Sequence, residues 1–122
     1  MRSRLRRTVK RVTGFCMDRR KGQIAVVFVS QRSGADAQGY ADAAAAMDAL
    51  AAAQPGYRGI DSARDEAGLG ITVSYWADEA SAVAWREHPD HARIRDRGRG
   101  IWYDRYELFV TEVVRGYGWT RE

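Results

Sequence analysis

Several things are scarce in this chain of 122 residues, and each scarcity removes a class of function. It has a single cysteine, Cys16, so no disulfide can close within it, and its two histidines, His88 and His91, have no Cys/His cluster around them at zinc-site spacing. A reducing, cytoplasmic setting is expected. No apolar run approaches the roughly 18–20 residues needed to cross a bilayer, and the basic N-terminus leads into neither an apolar h-region nor a small-residue cleavage site. No membrane anchor or secretion is expected. Asparagine is absent altogether, and there are only two prolines, Pro55 and Pro89.

Charge is abundant but unevenly placed. Residues 1–21 carry nine Arg/Lys against Asp18, a net of +8, so the +4 of the whole chain leaves −4 for the remainder. The basic pI therefore belongs to a leader, and the domain behind it is mildly acidic. Residues 1–22 show no sustained helical or strand period, and their like charges oppose compact packing, which predicts a flexible arm. It reads as a solvated tail, with contact to nucleic acid or an acidic membrane surface as the alternative. The length and the 45% apolar content suit one domain, expected over residues 23–119, with a short tail at 120–122.

From Gln23 to Arg32 the chain alternates Ile24, Val26 and Phe28 with Ala25, Val27 and Val29, a strand apolar on both faces. After a Ser-Gly-Ala-Asp loop, Gly39–Gln54 places Tyr40, Ala43, Met47, Leu50 and Gln54 on one helical face, and Pro55-Gly56 ends it. Arg58–Asp65 and Leu69–Trp76 read as a hairpin around Glu66-Ala67-Gly68. Asp78 is a natural N-cap for a helix through Glu87, which His88-Pro89 interrupts. Pro89 then opens another helix, expected to run towards Tyr103 despite Gly98 and Gly100, before a last strand from Tyr106 to Val114. The order β-α-β-β-α-α-β predicts an α+β, ferredoxin-like split βαβ fold with a four-stranded antiparallel sheet and helices on one face. A first strand apolar on both sides asks for a partner on the other face, and a second copy of the same sheet answers it: a homodimer is expected.

Phe28–Arg32 (Phe-Val-Ser-Gln-Arg), Gln54–Tyr57 (Gln-Pro-Gly-Tyr), Gly70–Trp76 (Gly-Ile-Thr-Val-Ser-Tyr-Trp), His88-x-x-His91, Arg97-Gly98-Arg99 and Trp102-Tyr103 resemble the antibiotic-biosynthesis monooxygenase family of dimeric α+β barrels. The resemblance covers about Gln23 to Trp119. It implies a cavity between sheet and helices, where one branch of the family oxidises phenols with dioxygen and no cofactor, and another degrades heme held by a helix histidine. Trp85 matches the family tryptophan of the second helix. Ungapped spacing from Trp85 puts Arg95 where the iron histidine should stand, with His91 one turn early, and both branches use an asparagine that this chain lacks. Ser30 or Gln31 offers comparable space.

The expected catalytic residues are thus His91, Trp85 and Ser30, with Trp76, His88, Arg95, Trp102 and Tyr103 around a ligand. Each has a plainer reading. His88 also suits a helix cap, Trp76 and Trp85 suit a core, Arg95, Arg97 and Arg99 suit a solvated helix face, and Tyr103 suits packing with its hydroxyl satisfied. The expected activity is a cofactor-free monooxygenase acting on a hydrophobic aromatic or quinol-type molecule. The alternatives are a non-catalytic small-molecule-binding or stress-associated domain and a heme-binding oxygenase, with heme disfavoured. No metal site is expected from two histidines without a carboxylate pattern. Nucleic-acid recognition of the βαββαβ kind is set aside, because Ala67–Ser74 lacks the basic residue and the stacking aromatics such modules present. Gly68-Leu69-Gly70 sits at a hairpin and not between strand and helix, which excludes a phosphate loop.

Overall fold

The computed structural model describes residues 19–122, so most of the basic arm lies outside the described residues. The elements are β1 (Ile24–Arg32), α1 (Ala37–Ala52), β2 (Tyr57–Arg64), β3 (Leu69–Trp76), α2 (Glu79–Arg86), α3 (Pro89–Arg97), a π-helical turn (Gly98–Trp102) and β4 (Tyr103–Glu112). All strand pairs are antiparallel in the order β2-β3-β1-β4, the ferredoxin-like α+β arrangement expected.

Residues directly opposite in an antiparallel pair share a face, so the register assigns the two surfaces of the sheet. Ile24 opposes Trp76 and Val26 opposes Val110, and both Ile24 and Val26 pack on the core of Ala51, Trp76, Ala82 and Trp85 together with Met47, Leu50 and Tyr57. That is the helix-covered side. The other side carries Val27 between Val73 and Phe109, and Val29 between Ile71 and Glu107. Phe109 there is 49% exposed. At one corner of this open face the Arg20 guanidinium lies 3.7 Å over the Tyr75 ring and donates to the Arg58 carbonyl at 2.7 Å.

Helix starts follow their caps. α1 begins at Ala37, two residues before the expected Gly39, because Asp36 adopts a left-handed conformation (φ 52°) and accepts from the Gly39 amide. The same carboxylate accepts from Trp102 Nε1 at 3.1 Å, which fastens the start of α1 to the end of the π turn. Asp78 caps α2 as expected, accepting from the Ser81 amide at 2.8 Å.

The largest departure from the sequence reading comes after Arg97. The helix does not continue to Tyr103: it widens into the π turn, and β4 starts at Tyr103, three residues before the expected Tyr106, and ends at Glu112. Two features explain this. The amide and hydroxyl of Ser33 donate to the Trp102 and Ile101 carbonyls, both at 2.8 Å, drawing the turn onto the end of β1. A β-bulge then shifts the register between Gln31 and Arg32, so that Ser30 opposes Tyr106 and Arg32 opposes Tyr103. Tyr103 and Tyr106, three apart in sequence, thereby reach the same helix-covered side, both against Phe28 at ring distances of 5.5 and 5.1 Å.

Candidate functional site

The register separates the expected site residues into two groups. Ile24 pairs with Trp76 and Ser30 with Gly70, and six residues at about 3.3 Å each put the groups roughly 20 Å apart along β1.

The first group is an aromatic stack under α2 and α3. Trp76 is completely buried, with its indole N–H on Ser74 Oγ at 3.0 Å, and it stacks on Trp85 at 6.0 Å. Trp85 in turn carries the His91 ring at 4.4 Å and an interplanar angle of 27°. His91 Nδ1 lies 2.8 Å from the Trp85 carbonyl. A carbonyl only accepts, so Nδ1 bears the proton, and the lone pair is left on Nε2. Burial holds the His91 pKa below its ordinary value despite that hydrogen bond, with Arg95 and His88 adding in the same direction as burial. The ring is neutral at neutral pH. Its neighbour His88 takes the plainer of its two readings: it caps α3, accepting from the Asp90 amide through Nδ1 at 3.1 Å. Arg95 donates to the Arg86 carbonyl at 3.3 Å and so ties α3 to α2.

The second group surrounds Ser30, which is fully buried. Arg64 Nη2 donates to Ser30 Oγ at 2.9 Å and to Tyr40 Oη at 3.0 Å, while Nη1 donates to the Gly68 and Ser30 carbonyls at 2.6 and 3.3 Å. Tyr40 lies beneath a second guanidinium, Arg32, at 4.1 Å, and faces Tyr103 edge-on at 5.9 Å. Neither Arg32 nor Arg64 has a carboxylate within 4.0 Å among the described residues. Burial first, then the nearby Tyr40 and its hydrogen bond, push the Tyr103 phenol well above its ordinary pKa, so it keeps its proton. Trp102, 2% exposed and bonded to Asp36, closes this end as a structural anchor.

Between the two groups the helix-covered side holds an apolar floor that the helices leave open. α3 packs chiefly on the π turn, α1 and α2. Consequently Leu108 and Val110, which oppose Phe28 and Val26, remain 47% and 55% exposed. Two hollows border these groups: one of about 260 Å³ beside Trp85, between Gln54-Pro55 and α2, and one of about 180 Å³ lined by Arg99, Tyr103, Asp104, Arg105 and Tyr106.

Sequence reading missed Tyr40, Arg64 and Arg32 as members of the polar group, and Tyr106 as the aromatic neighbour of Tyr103. Tyr40 looked like one more core position of α1. Arg64 carried a usable signal, since it continues the Ile60-Ser62-Arg64 alternation and so puts a charge on the covered face of β2. The bulge that aims Tyr103 and Tyr106 together has no mark in the sequence.

Heme fits this arrangement poorly. The position that spacing assigns to an iron ligand is Arg95, a cation with no lone pair to give, and its guanidinium is engaged with the Arg86 carbonyl. His91 keeps a lone pair on Nε2, but it stands one turn before that position and its ring lies stacked on Trp85. Among the described residues no group of three or more His, Cys, Asp or Glu side chains stands ready for a metal, and no helix is long and apolar enough to cross a membrane.

Comparison with known proteins agrees with this fold. The chain is 43% identical over 91 residues to the uncharacterized protein YqjZ of Bacillus subtilis (strain 168), an alignment covering 75% of this chain and 79% of that one. Among solved structures it resembles the N63A mutant of SnoaB, a cofactor-independent oxygenase from Streptomyces nogalater, with TM-score 0.66, 17% identity and coverage of 75% and 93% of the two chains. It also resembles a conserved protein from Methanosarcina mazei Go1, with TM-score 0.68, 13% identity and coverage of 75% and 93%. At these identities the two structures share the fold. The model of the antibiotic biosynthesis monooxygenase family matches residues 23–97, from β1 through α3, and the chain belongs to that family.

Proposed function

We propose that this protein is a cofactor-independent monooxygenase acting on a hydrophobic aromatic molecule of the quinol or anthrone type, and that it works as a homodimer joined through the open face of its sheet. The observation that carries the catalytic part is the neutral His91, whose Nδ1 is occupied by the Trp85 carbonyl and whose Nε2 is left as a proton acceptor beside an aromatic wall. The exposed Leu108 and Val110, beside the half-buried Val26 and Phe28, supply an apolar bed for a planar ring system.

The chemistry balances without an added reductant. An activated CH2 of the substrate gives a proton to His91 Nε2, and the resonance-stabilised anion passes one electron to dioxygen. The carbon radical and superoxide combine to a peroxide, which takes back the proton and eliminates water to leave a ketone. CH2 and O2 have become C=O and H2O. The protein contributes a base, an apolar site that excludes water, and donors for the developing oxyanion.

Oxygen uptake with 1,8-dihydroxyanthrone tests the reading. Consumption at one O2 per anthrone, faster than the uncatalysed reaction and largely lost in His91→Ala, is expected. Uptake no faster than in buffer sinks the catalytic claim. A specific observation favours a second reading, a non-catalytic small-molecule-binding domain: the chain contains no asparagine, the residue that both catalytic branches of the family place in the site. Saturable binding of the oxidised anthraquinone without oxygen uptake is the outcome that selects it.

A further inference from the structure

Tyr106, Leu108 and Val110 alternate along β4 opposite Ser30, Phe28 and Val26, so they form one row on the helix-covered face. Leu108 and Val110 in that row are about half exposed. At its head lies the hollow of about 180 Å³ lined by Arg99, Tyr103, Asp104, Arg105 and Tyr106. A directed hydrogen bond crosses there: Arg99, from the π turn, donates through Nε to Tyr106 Oη at 2.6 Å. The same bond is the first cause of the raised Arg99 pKa, as it must be for the donor. A guanidinium only donates, so the phenol oxygen accepts and its own hydrogen remains to be given. Among the described residues Tyr106 Oη has no second hydrogen-bond partner. The carboxylate within 4.0 Å of Arg99 is Asp96, whose 3.9 Å contact is too long for a hydrogen bond. Tyr106 thus presents a hydrogen backed by a cation at the head of an exposed apolar row.

We propose that Tyr106 donates its hydrogen to the phenolate oxygen at the long-axis end of a planar aromatic ligand, and that Arg99 is the residue that positions and polarises it. The ligand class follows from the two halves of the site. A phenol that accepts from a guanidinium is a stronger donor than an isolated one, and such a donor gains most from a charged acceptor. Tyr106 and Val110 are four residues apart on one strand, roughly 13 Å, a span that suits three fused rings laid along Leu108 with an oxygen at the end. Phe28, whose ring is 5.1 Å from that of Tyr106, opposes Leu108 and flanks the same track. The arrangement selects on where the oxygen stands. A terminal hydroxyl reaches Tyr106, whereas a hydroxyl beside a quinone carbonyl is turned inward by its own internal hydrogen bond.

This inference rests on the proposed aromatic ligand but not on turnover, and its test separates the two. The probe is 2-hydroxyanthraquinone, whose hydroxyl ends the three-ring axis and whose colour reports its ionisation, titrated with pH in the presence of saturating full-length protein. Bound to the wild type it should ionise at lower pH than in buffer, by about one pKa unit or more, the tenfold or greater preference expected of a donor to a charged acceptor. Tyr106→Phe, which keeps both the ring and Arg99, should remove most of that shift, and Arg99→Gln about half of it. 1-Hydroxyanthraquinone, internally bonded, should shift little. Circular dichroism verifies that each variant is folded, and if Tyr106→Phe is not, Arg99→Gln decides alone. A bound probe that ionises alike in wild type and Tyr106→Phe overturns the assignment, even where Arg99→Gln abolishes the shift, because the guanidinium then holds the oxygen directly. An equal shift for the two isomers overturns the long-axis placement. A probe that fails to bind overturns the proposal and leaves the oxygenase to the oxygen-uptake assay. A Tyr106-dependent shift in a protein that consumes no oxygen refutes the oxygenase and leaves the Tyr106 site standing.

Discussion

Replacing Phe109 by alanine probes the open face of the sheet where it matters most. Phe109 opposes Val27 across β1 and β4, on the side that carries Val29, Ile71 and Val73 and no helix. The ring is 49% exposed in the single chain. A phenylalanine offers about 200 Å² for burial, so about 100 Å² remains for a partner, worth about 2.5 kcal/mol at 25 cal/mol per Å². In an isologous dimer both copies lose it, and with the alanine methyl recovering a little the deficit is about 4 kcal/mol, roughly a thousandfold in the dissociation constant. Sedimentation velocity across a concentration series measures it. The wild type should be dimeric at micromolar concentration, and Phe109→Ala should dissociate there while keeping the far-ultraviolet spectrum of the native fold. A wild type that sediments as a monomer, or a Phe109→Ala protein with an unchanged dimer constant, refutes the argument that this surface is an interface.

Trp76→Ala should cost about 3–5 kcal/mol in urea denaturation, because the indole is fully buried between Tyr57 and Trp85 and leaves a large cavity; a loss under about 1 kcal/mol would show that the stack is not the core. For His91 the sign follows from its depressed pKa: the unfolded chain takes up the proton first, so His91's contribution is complete above the ordinary histidine value of 6.5 and is lost as pH falls below it. The urea midpoint should therefore fall between pH 7.5 and 5.5, and fall less in His91→Gln; equal slopes in the two proteins contradict the burial account. Titration with hemin should give no sharp Soret band saturating at one heme per chain, because Arg95 occupies the ligand position; a band abolished by His91→Ala would place the protein among the heme-degrading members of its family.

Local rules written along the chain were enough to determine the order of elements, the ferredoxin-like topology and most caps. Alternation in β1 and β3, Gly68 at the hairpin turn, Asp78 before α2 and Pro89 at the head of α3 each act within a few residues, so each is legible in one dimension. Trp85 and His91 were each marked as candidates, but their stacking was not legible: it arises because the helix break after Trp85 brings His91 back onto its ring. What depends on contacts between distant segments was not legible either. The anchoring of Trp102 by Asp36 and of the π turn by Ser33 ends the last helix early, and the bulge opposite Gln31 and Arg32 sets which way two tyrosines point. Arg64, 34 residues from Ser30, gathers Ser30 and Tyr40 only when β2, β1 and α1 are stacked. A residue's neighbours along a strand are fixed by period two, whereas its neighbours through space depend on register and on loops closing. The sequence alone therefore determined which side chains share a face within a regular strand, and the tertiary structure decided which of them share a site and, at the bulge, which face Tyr103 and Tyr106 share.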